Sequence, residues 1–205
     1  MLSGILLIGV GVALFRLAGF GADPFTGMNL GISMFLNWSF GNWQLIANGL
    51  ILAIVFFKAP ECIGPGTIVN MVGVGYTADL ICWLLSQTLP ISLPIVLRIL
   101  FLAAGLLFMS FGAALYMEGD LGIAPYDSVA IVMEQSSDHR IPFHIARMIS
   151  DTAAVAAGAV FCVAGGYPIW SVIGIGTICN AMLNGTAIQF FRNRLRRGFP
   201  ARGKS

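Results

Sequence analysis

The chain has 205 residues, of which 58% are hydrophobic and only 10% are charged, whereas soluble domains carry about 25% charged residues. This small number of charges cannot cover a water-facing surface. The composition therefore excludes an ordinary soluble domain and predicts a membrane-embedded one. The formal net charge is +2, which comes almost entirely from the C-terminal segment, and we expect no nucleic-acid partner.

Apolar runs follow one another along the chain and lack the alternation of barrel strands. We therefore predict an all-α, polytopic membrane protein, because helices satisfy their own backbone hydrogen bonds in lipid. Two of the predicted helices, which start near Pro24 and Pro125, are shorter than the about 20 residues that cross a bilayer. The predicted helices are approximately Leu2–Phe20, Pro24–Trp38, Trp43–Phe57, Gly66–Leu85, Ile95–Met117, Tyr126–Gln135, His144–Ala164 and Ser171–Phe191.

Two sequence elements occur twice in the same order. Residues 21–25 (GADPF) return as 122–126 (GIAPY), and residues 63–70 (IGPGTIVN) return as 173–180 (IGIGTICN). This predicts a single transmembrane domain over residues 1–191 with two internal repeats, about 2–89 and 95–191. In membrane proteins built this way, substrate sites lie where the repeats meet.

The short helices leave two topologies open. If they are re-entrant or half-depth helices, each repeat has three crossings and the repeats are inverted; if they cross, each has four and the repeats are parallel. We favour the inverted arrangement, with six long transmembrane helices and two short ones, because Gly and Pro precede the short helices. Both arrangements put the two chain ends on the same side of the membrane.

Residues 192–205 form a predicted basic tail. The positive-inside rule places this tail, and with it both termini, in the cytoplasm of a multi-pass protein of the bacterial plasma membrane. We also expect contact with anionic lipids. The basic residues are Arg192, Arg194, Arg196, Arg197, Arg202 and Lys204.

The starts of the short helices carry the first candidate site residues. Asp23 and Thr26 flank the first start, and Asp127 lies just inside the second. These side chains are typical of ordinary helix capping. Alternatively, two half-helix ends with free N–H groups face a central cavity and bind solute there.

A second pair of candidates starts the fourth and eighth helices. Thr67 with Asn70, and Thr177 with Asn180, lie three residues apart on one helical face. A buried Asn in lipid needs hydrogen-bond partners, so we expect both faces to point into the bundle. They form either a polar packing seam or a substrate-coordinating one.

Charges inside predicted helices are the third group. Asp79 lies well inside the fourth helix, and Arg147 precedes Asp151 at the spacing of an (i, i+4) ion pair. An acid at such depth is costly unless it is paired, protonated or wetted. These residues are either structural ion pairs or protonatable groups in a transport path.

Nothing in the sequence favours an enzyme. His139 and His144 lie near a predicted membrane edge, with no nucleophile motif and no metal-ligand spacing. The four cysteines form no Cys-x-x-Cys pair. We expect no catalytic residue, no metal and no cofactor.

The duplicated elements, together with Gly31-Ile32-Ser33 and Asp127, resemble those of the YczE/YitT-like family. The resemblance covers most of the chain and implies a small bacterial inner-membrane protein with no settled activity. It carries over no binding or catalytic residues.

These observations predict a transporter for a small polar or anionic solute, with its site between the two repeats. The alternative is a non-transporting accessory, scaffold or substrate-binding membrane subunit of a larger complex. The expected partners are the lipid bilayer, a small-molecule solute, and either a second copy of the chain or a membrane partner subunit.

Overall fold

Helices form most of the chain in the computed structural model, which describes residues 1–90 and 93–198. Over these residues the prediction of an all-helical fold is confirmed. Eight α-helices are joined by short connections, two of which contain single 3-10 turns at Pro60–Cys62 and Ile169–Ser171. The helices are α1 (Leu2–Ala18), α2 (Pro24–Leu36), α3 (Phe40–Lys58), α4 (Pro65–Ser86), α5 (Ile95–Met117), α6 (Pro125–Ser136), α7 (Phe143–Ala164) and α8 (Ile175–Gly198).

Four of these helices, α3, α4, α5 and α7, are long and apolar enough to cross a membrane. The apolar helix α1 has 17 residues, and the short helices α2 and α6 have 13 and 12. The prediction of six crossing helices therefore stays a prediction.

The last helix differs from its predicted bounds at both ends. It begins at Ile175 instead of near Ser171, because the 3-10 turn Ile169–Ser171 precedes it. It also continues to Gly198, so the part of the expected tail within residues 192–198 is helical. Arg is a good helix former, so the helix continues beyond its apolar part. Arg202 and Lys204 lie outside the described residues.

Helices α1 and α5 pack antiparallel through glycines. A Cβ atom on Gly4 would lie 2.7 Å from the Gly112 carbonyl oxygen, and one on Gly11 would lie 2.8 Å from that of Gly105. Contact between an early residue of one helix and a late residue of the other sets the opposite directions. Small residues let two backbones approach closely, which favours helix association in lipid.

Helix α4 runs parallel to α1, with Gly73 against Ile5 and Gly9 against Thr77. Helix α8 runs parallel to α5 in the same way. There Ser110 donates to the Asn184 amide oxygen at 2.8 Å, and Glu118, which caps the end of α5, accepts from Arg192 of α8. Because α1 and α5 are antiparallel, α4 and α8 also run in opposite directions.

Helix α7 packs antiparallel to α8. Gly185 of α8 lies against Arg147, and the Arg192 guanidinium stacks 4.9 Å from the centre of the Phe143 ring. The short helix α6 packs on α3 and α7, and α2 packs on α7.

The starts of α4 and α8 are held by matching contacts with distant loops. The Gly66 N–H donates to the Leu121 carbonyl at 2.6 Å, and the Gly176 N–H donates to the Phe20 carbonyl at 2.8 Å. Each duplicated Gly-rich element thus docks onto the loop that precedes a short helix in the other half of the chain. These hydrogen bonds satisfy N–H groups that a helix start leaves free.

The end of α5 is fastened to α8 by charge. Glu118 accepts from Arg192 and Arg196 at 3.0 Å each. Partial burial raises the pKa of the Glu118 carboxyl, but the two guanidinium groups outweigh burial and hold this pKa below its ordinary value. The carboxylate is therefore charged at neutral pH and anchors the charged part of α8.

We expect Gly112→Ala to destabilise the fold, because the added Cβ would lie 2.7 Å from the Gly4 carbonyl oxygen. Overpacking of this kind costs about 1–3 kcal/mol. Gly49→Ala is the matched control, since nothing lies within 4 Å of that position in α3. In mild detergent, only Gly112→Ala should lower the thermal unfolding temperature. Equal unfolding temperatures of the two variants would contradict the α1–α5 contact.

Candidate functional site

Three of the predicted site residues come together inside the protein. The Arg147 side chain, which is 8% exposed, lies between Asp127 and Asp151. Its Nε donates to Asp151 Oδ2 at 3.2 Å, and its Nη1 forms an ion pair with Asp127 Oδ1. Asp151 is fully buried, one turn along α7 from Arg147, whereas Asp127 comes from α6.

Two tyrosines complete this group. The Tyr126 hydroxyl donates to Asp151 Oδ1 at 2.6 Å, and the Tyr116 hydroxyl of α5 donates to Asp127 Oδ2. Tyr116 also accepts from the Ala124 N–H at 3.3 Å. Every carboxylate oxygen therefore accepts one hydrogen bond. We call Tyr116, Tyr126, Asp127, Arg147 and Asp151 the charged cluster.

An aromatic stack links the charged cluster to the other short helix. The ring of Phe25, in the first turn of α2, stacks on that of Tyr126 with centroids 4.4 Å apart and planes at 19°. The Arg147 guanidinium lies 4.7 Å from the centre of the same Tyr126 ring. Phe25 and Tyr126 are the aromatic residues of the two Gly-x-x-Pro-aromatic elements, so the starts of the two short helices meet beside the cluster.

The charges in the cluster do not balance. With both acids ionised, two carboxylates face one guanidinium, which leaves a formal charge of −1 in a buried place. A buried charge is expensive unless it is compensated. The cluster thus combines a fixed cation, an excess acid and hydroxyl groups able to pass a proton.

Asp23 and Thr26 form a helix cap. The Asp23 carboxylate accepts from the Thr26 backbone N–H at 3.0 Å at the start of α2. This is ordinary N-cap geometry.

The two threonine–asparagine faces do not line one shared space. The Thr67 hydroxyl accepts from the Gly64 N–H and donates to the Cys62 carbonyl at 3.4 Å. The Thr177 hydroxyl accepts from Gly174 N–H and donates to the Ala22 carbonyl at 2.6 Å. Because α4 and α8 are antiparallel, these threonines lie at opposite ends of the bundle, where each fixes a loop.

Asn70 and Asn180 are buried, as their pattern predicts, with 7% and 1% of their surface exposed. The Nδ2 group of each has no hydrogen-bond partner among the described residues. Such a group costs about 1–3 kcal/mol when it stays unsatisfied. Both positions therefore have spare donors inside the bundle.

Asp79 lies elsewhere. Its carboxylate pairs with Arg16 of α1 at 2.8 Å, and its side chain is 71% exposed on the outer face of α4. The structure thus separates Asp79 from the other two in-helix charges that we singled out.

Sequence reasoning missed Tyr116, Tyr126 and Phe25. One signal was available in the residues that lie 101 positions apart in the sequence. At the same separation of 101 residues that relates Pro24 to Pro125, Phe15 corresponds to Tyr116, Phe25 to Tyr126 and Thr26 to Asp127. In each of these three pairs the later residue is the more polar one, and all three later residues belong to the charged cluster.

Comparison with known proteins identifies a family. Residues 1–193 match the model of a family of unknown function, DUF6198. A Haemophilus influenzae protein with the description "Uncharacterized protein" is 25% identical over 96% of this chain and 84% of its own length. No solved structure matches the chain.

Two relatives come from Bacillus subtilis. The "Uncharacterized protein YyaS" is 24% identical over 98% of this chain and 94% of its own length. The "Uncharacterized membrane protein YczE" is 22% identical over 92% of this chain and 81% of its own length. The resemblance to YczE-like proteins is thereby confirmed, and with the apolar helices it identifies a membrane protein.

We expect Arg147→Met to destabilise the protein severely, because it leaves Asp127 and Asp151 without their cation. Removing one partner of a buried ion pair costs about 3–5 kcal/mol. Arg16→Met is the matched control, since its pair with Asp79 is mostly exposed. In detergent at neutral pH, Arg147→Met should lower the thermal unfolding temperature much more than Arg16→Met does. Similar decreases in the two variants would argue against a tightly coupled cluster.

Proposed function

The chain belongs to the DUF6198 family of unknown function, and we propose that it is a transporter for a small polar solute. Its site lies where the two halves of the chain meet. The observation that carries this proposal is the buried charged cluster at the meeting point of two short helices. Ionisable residues inside membrane domains commonly mark transport paths, and broken or short helices commonly end at substrate sites.

The transporter architecture that we propose is a pair of inverted repeats. Gly4 corresponds to Gly105 and Gly11 to Gly112, each 101 residues apart. The contacts Gly4–Gly112 and Gly11–Gly105 are then one contact repeated by a two-fold axis. Because α1 and α5 are antiparallel, this axis is perpendicular to them and lies in the membrane plane.

The docking of α4 and α8 supports the same axis. Gly66 bonds to the loop before α6, and Gly176 bonds to the loop before α2, which is the exchange that a two-fold axis predicts. In this arrangement α1, α3, α4, α5, α7 and α8 cross the membrane. The short helices α2 and α6 then do not cross, and both chain ends lie in the cytoplasm.

The charge of the cluster narrows the solute class. Arg147 is already bound by two carboxylates, so its guanidinium is not free for an anion. The excess carboxylate also repels anions. We therefore favour an uncharged polar or a cationic solute over the anionic one that the helix starts alone suggest.

Transport then requires the contacts within the cluster to be exchanged. Every carboxylate oxygen already accepts one hydrogen bond in this conformation, so a solute competes with internal partners. Movement of α6 relative to α7, on which α2 is held, opens the site to one side of the membrane. This is the alternating access expected of repeat-built transporters.

The location that we propose is the bacterial plasma membrane. Arg194, Arg196 and Arg197 extend α8 beyond its apolar part, and a cytoplasmic position puts them next to anionic lipid headgroups.

Cysteine labelling tests the inverted arrangement in a background without the four native cysteines. With six crossings, Ser39→Cys and Gln87→Cys face the outside and react with an impermeant maleimide in intact cells. Glu61→Cys and Ser136→Cys then react only after permeabilisation. All four positions are exposed. Eight crossings predict the reverse for Ser39, Gln87 and Glu61, so that pattern would reject the inverted repeats.

Transport is tested by first finding a ligand. A panel of small polar metabolites is screened for stabilisation of the purified protein, since a ligand at 100 times its Kd adds about 2.7 kcal/mol. Stabilising compounds are then radiolabelled and followed into proteoliposomes. We expect Tyr126→Phe, which removes only the hydroxyl bound to Asp151, to reduce uptake at least several-fold.

The matched control for uptake is Asp79→Asn, because Asp79 lies outside the cluster. If Tyr126→Phe takes up solute as strongly as the wild type, the cluster is not part of the transport path. If no compound binds and a stoichiometric membrane protein copurifies instead, the accessory-subunit alternative replaces the transporter.

A further inference from the structure

The charged cluster has one more acid than it has cations, and this excess acid can bind a proton in addition to the proposed solute. We propose that Asp127 binds and releases a proton, and that protonation of Asp127 unlocks α6 from α5 and α7. The use of this proton to drive transport rests on the proposed function, but the binding of the proton does not. The proton comes from water and returns to water, so no other reactant is needed.

Asp127 is the more exposed acid of the pair. Its side chain is 17% exposed, whereas that of Asp151 is fully buried. Asp127 also lies in the first turn of α6, just after the loop of residues 118–124 that leads out of the bundle. Protons therefore have a shorter path to Asp127 than to Asp151.

Charge balance selects the same residue. When Asp127 is neutral, Arg147 and Asp151 remain as an (i, i+4) ion pair on one helix, with no net charge. The Tyr126 hydroxyl still donates to Asp151 in that state. Protonation of Asp151 instead would leave the ion pair between two helices and remove the one within α7.

Both partners of Asp127 donate hydrogen bonds to its carboxylate. Protonation of Asp127 therefore weakens the contacts that hold α6 in place. The Arg147 Nη1 donates to Oδ1 and the Tyr116 hydroxyl donates to Oδ2. A neutral carboxyl group is a poorer acceptor than a carboxylate, and one of its oxygens now carries its own hydrogen. The links from α6 to α7 and from α6 to α5 therefore weaken together.

The aromatic stack passes this change on. Tyr126 is the neighbour of Asp127 on α6, and its ring rests on Phe25 of α2. A shift at the start of α6 thus acts directly on the start of α2. Proton binding in one half of the chain is in this way coupled to the short helix of the other half.

Few other ionisable groups act on Asp127 from the surrounding elements. Asp127 lies in the first turn of α6, and the carboxylate of Asp151 lies on the other side of the Arg147 guanidinium. Lys58 ends α3, and Glu61, in the turn after it, accepts from Gln135 near the other end of α6. The titratable groups of the cluster around Asp127 are Tyr116 from α5, Tyr126 from α6, and Arg147 and Asp151 from α7. Two further titratable groups on these elements are the half-buried His144 of α7 and Asp23, which caps the start of α2.

Infrared difference spectroscopy of the reconstituted protein between high and low pH, with no solute present, tests proton binding. We expect a protonated-carboxyl band that Asp127→Asn removes and that Asp79→Asn retains. If the band survives in Asp127→Asn but disappears in Asp151→Asn, the proton binds at Asp151 and our assignment is wrong. A wild-type spectrum with no buried carboxyl band would overturn the proposal entirely.

Hydrogen–deuterium exchange tests the unlocking. The backbone of α6 should exchange several-fold faster at low pH than at high pH in the wild type, after correction for intrinsic rates. Asp127→Asn, which imitates the neutral acid, should exchange fast at both pH values. Exchange of α6 that does not depend on pH in the wild type would reject the proposed unlocking. Gly49→Ala serves as the variant that leaves the cluster intact.

The two proposals fail in different ways. If the carboxyl band titrates at Asp127 but no solute is taken up, the proton site stands and the transporter does not. If the wild type takes up a solute but shows no titrating carboxyl, transport stands and the proton site is rejected.

Discussion

The burial of Arg147 between acids of two helices is the interaction on which the arrangement of the short helices depends. In a low-dielectric interior a guanidinium cannot stay unpaired, and its five donors require fixed acceptors. Asp151 supplies one acceptor from the same helix, but Asp127 must be brought by α6. The position of α6 is therefore set by charge, whereas its apolar residues would pack equally well against lipid.

Other contacts in the fold are of a different kind. Glycines bring the backbones of α1 and α5 together, and Gly31 meets Gly158 between α2 and α7. Backbone-to-backbone contacts of this type contain no titratable group, so they do not respond to pH. The structure thus joins α2 to α7 rigidly, while α6 is attached to α5 and α7 through polar groups. If one element moves when a proton binds, α6 is the one whose contacts allow it.

The sequence predicts the helices well because their ends carry strong local signals. Pro24 and Pro125 start the short helices, and the (i, i+4) spacing correctly joins Arg147 to Asp151. The sequence does not predict that Asp127 joins this pair, because that contact requires knowledge of how α6 packs on α7. Nor does it predict the outward direction of Asp79, since core and lipid are both apolar and hydropathy cannot tell one helix face from the other. The helical extension of α8 is missed because a run of arginines is typical both of a tail and of a charge-stabilised helix.

The two halves of the proposed repeat differ where the chemistry is concentrated. The second half has Tyr116, Tyr126 and Asp127, and the first half has Phe15, Phe25 and Thr26 at the corresponding positions. Phe15 is buried, so the first half fills the equivalent space with an apolar ring. A second charged cluster would double the cost of burying ions without adding a new direction of movement, because the Phe25–Tyr126 stack already links the two short helices. In the repeat that we propose, a single charged cluster therefore leaves the two halves alike in their helix packing and places the proposed proton site in only one of them.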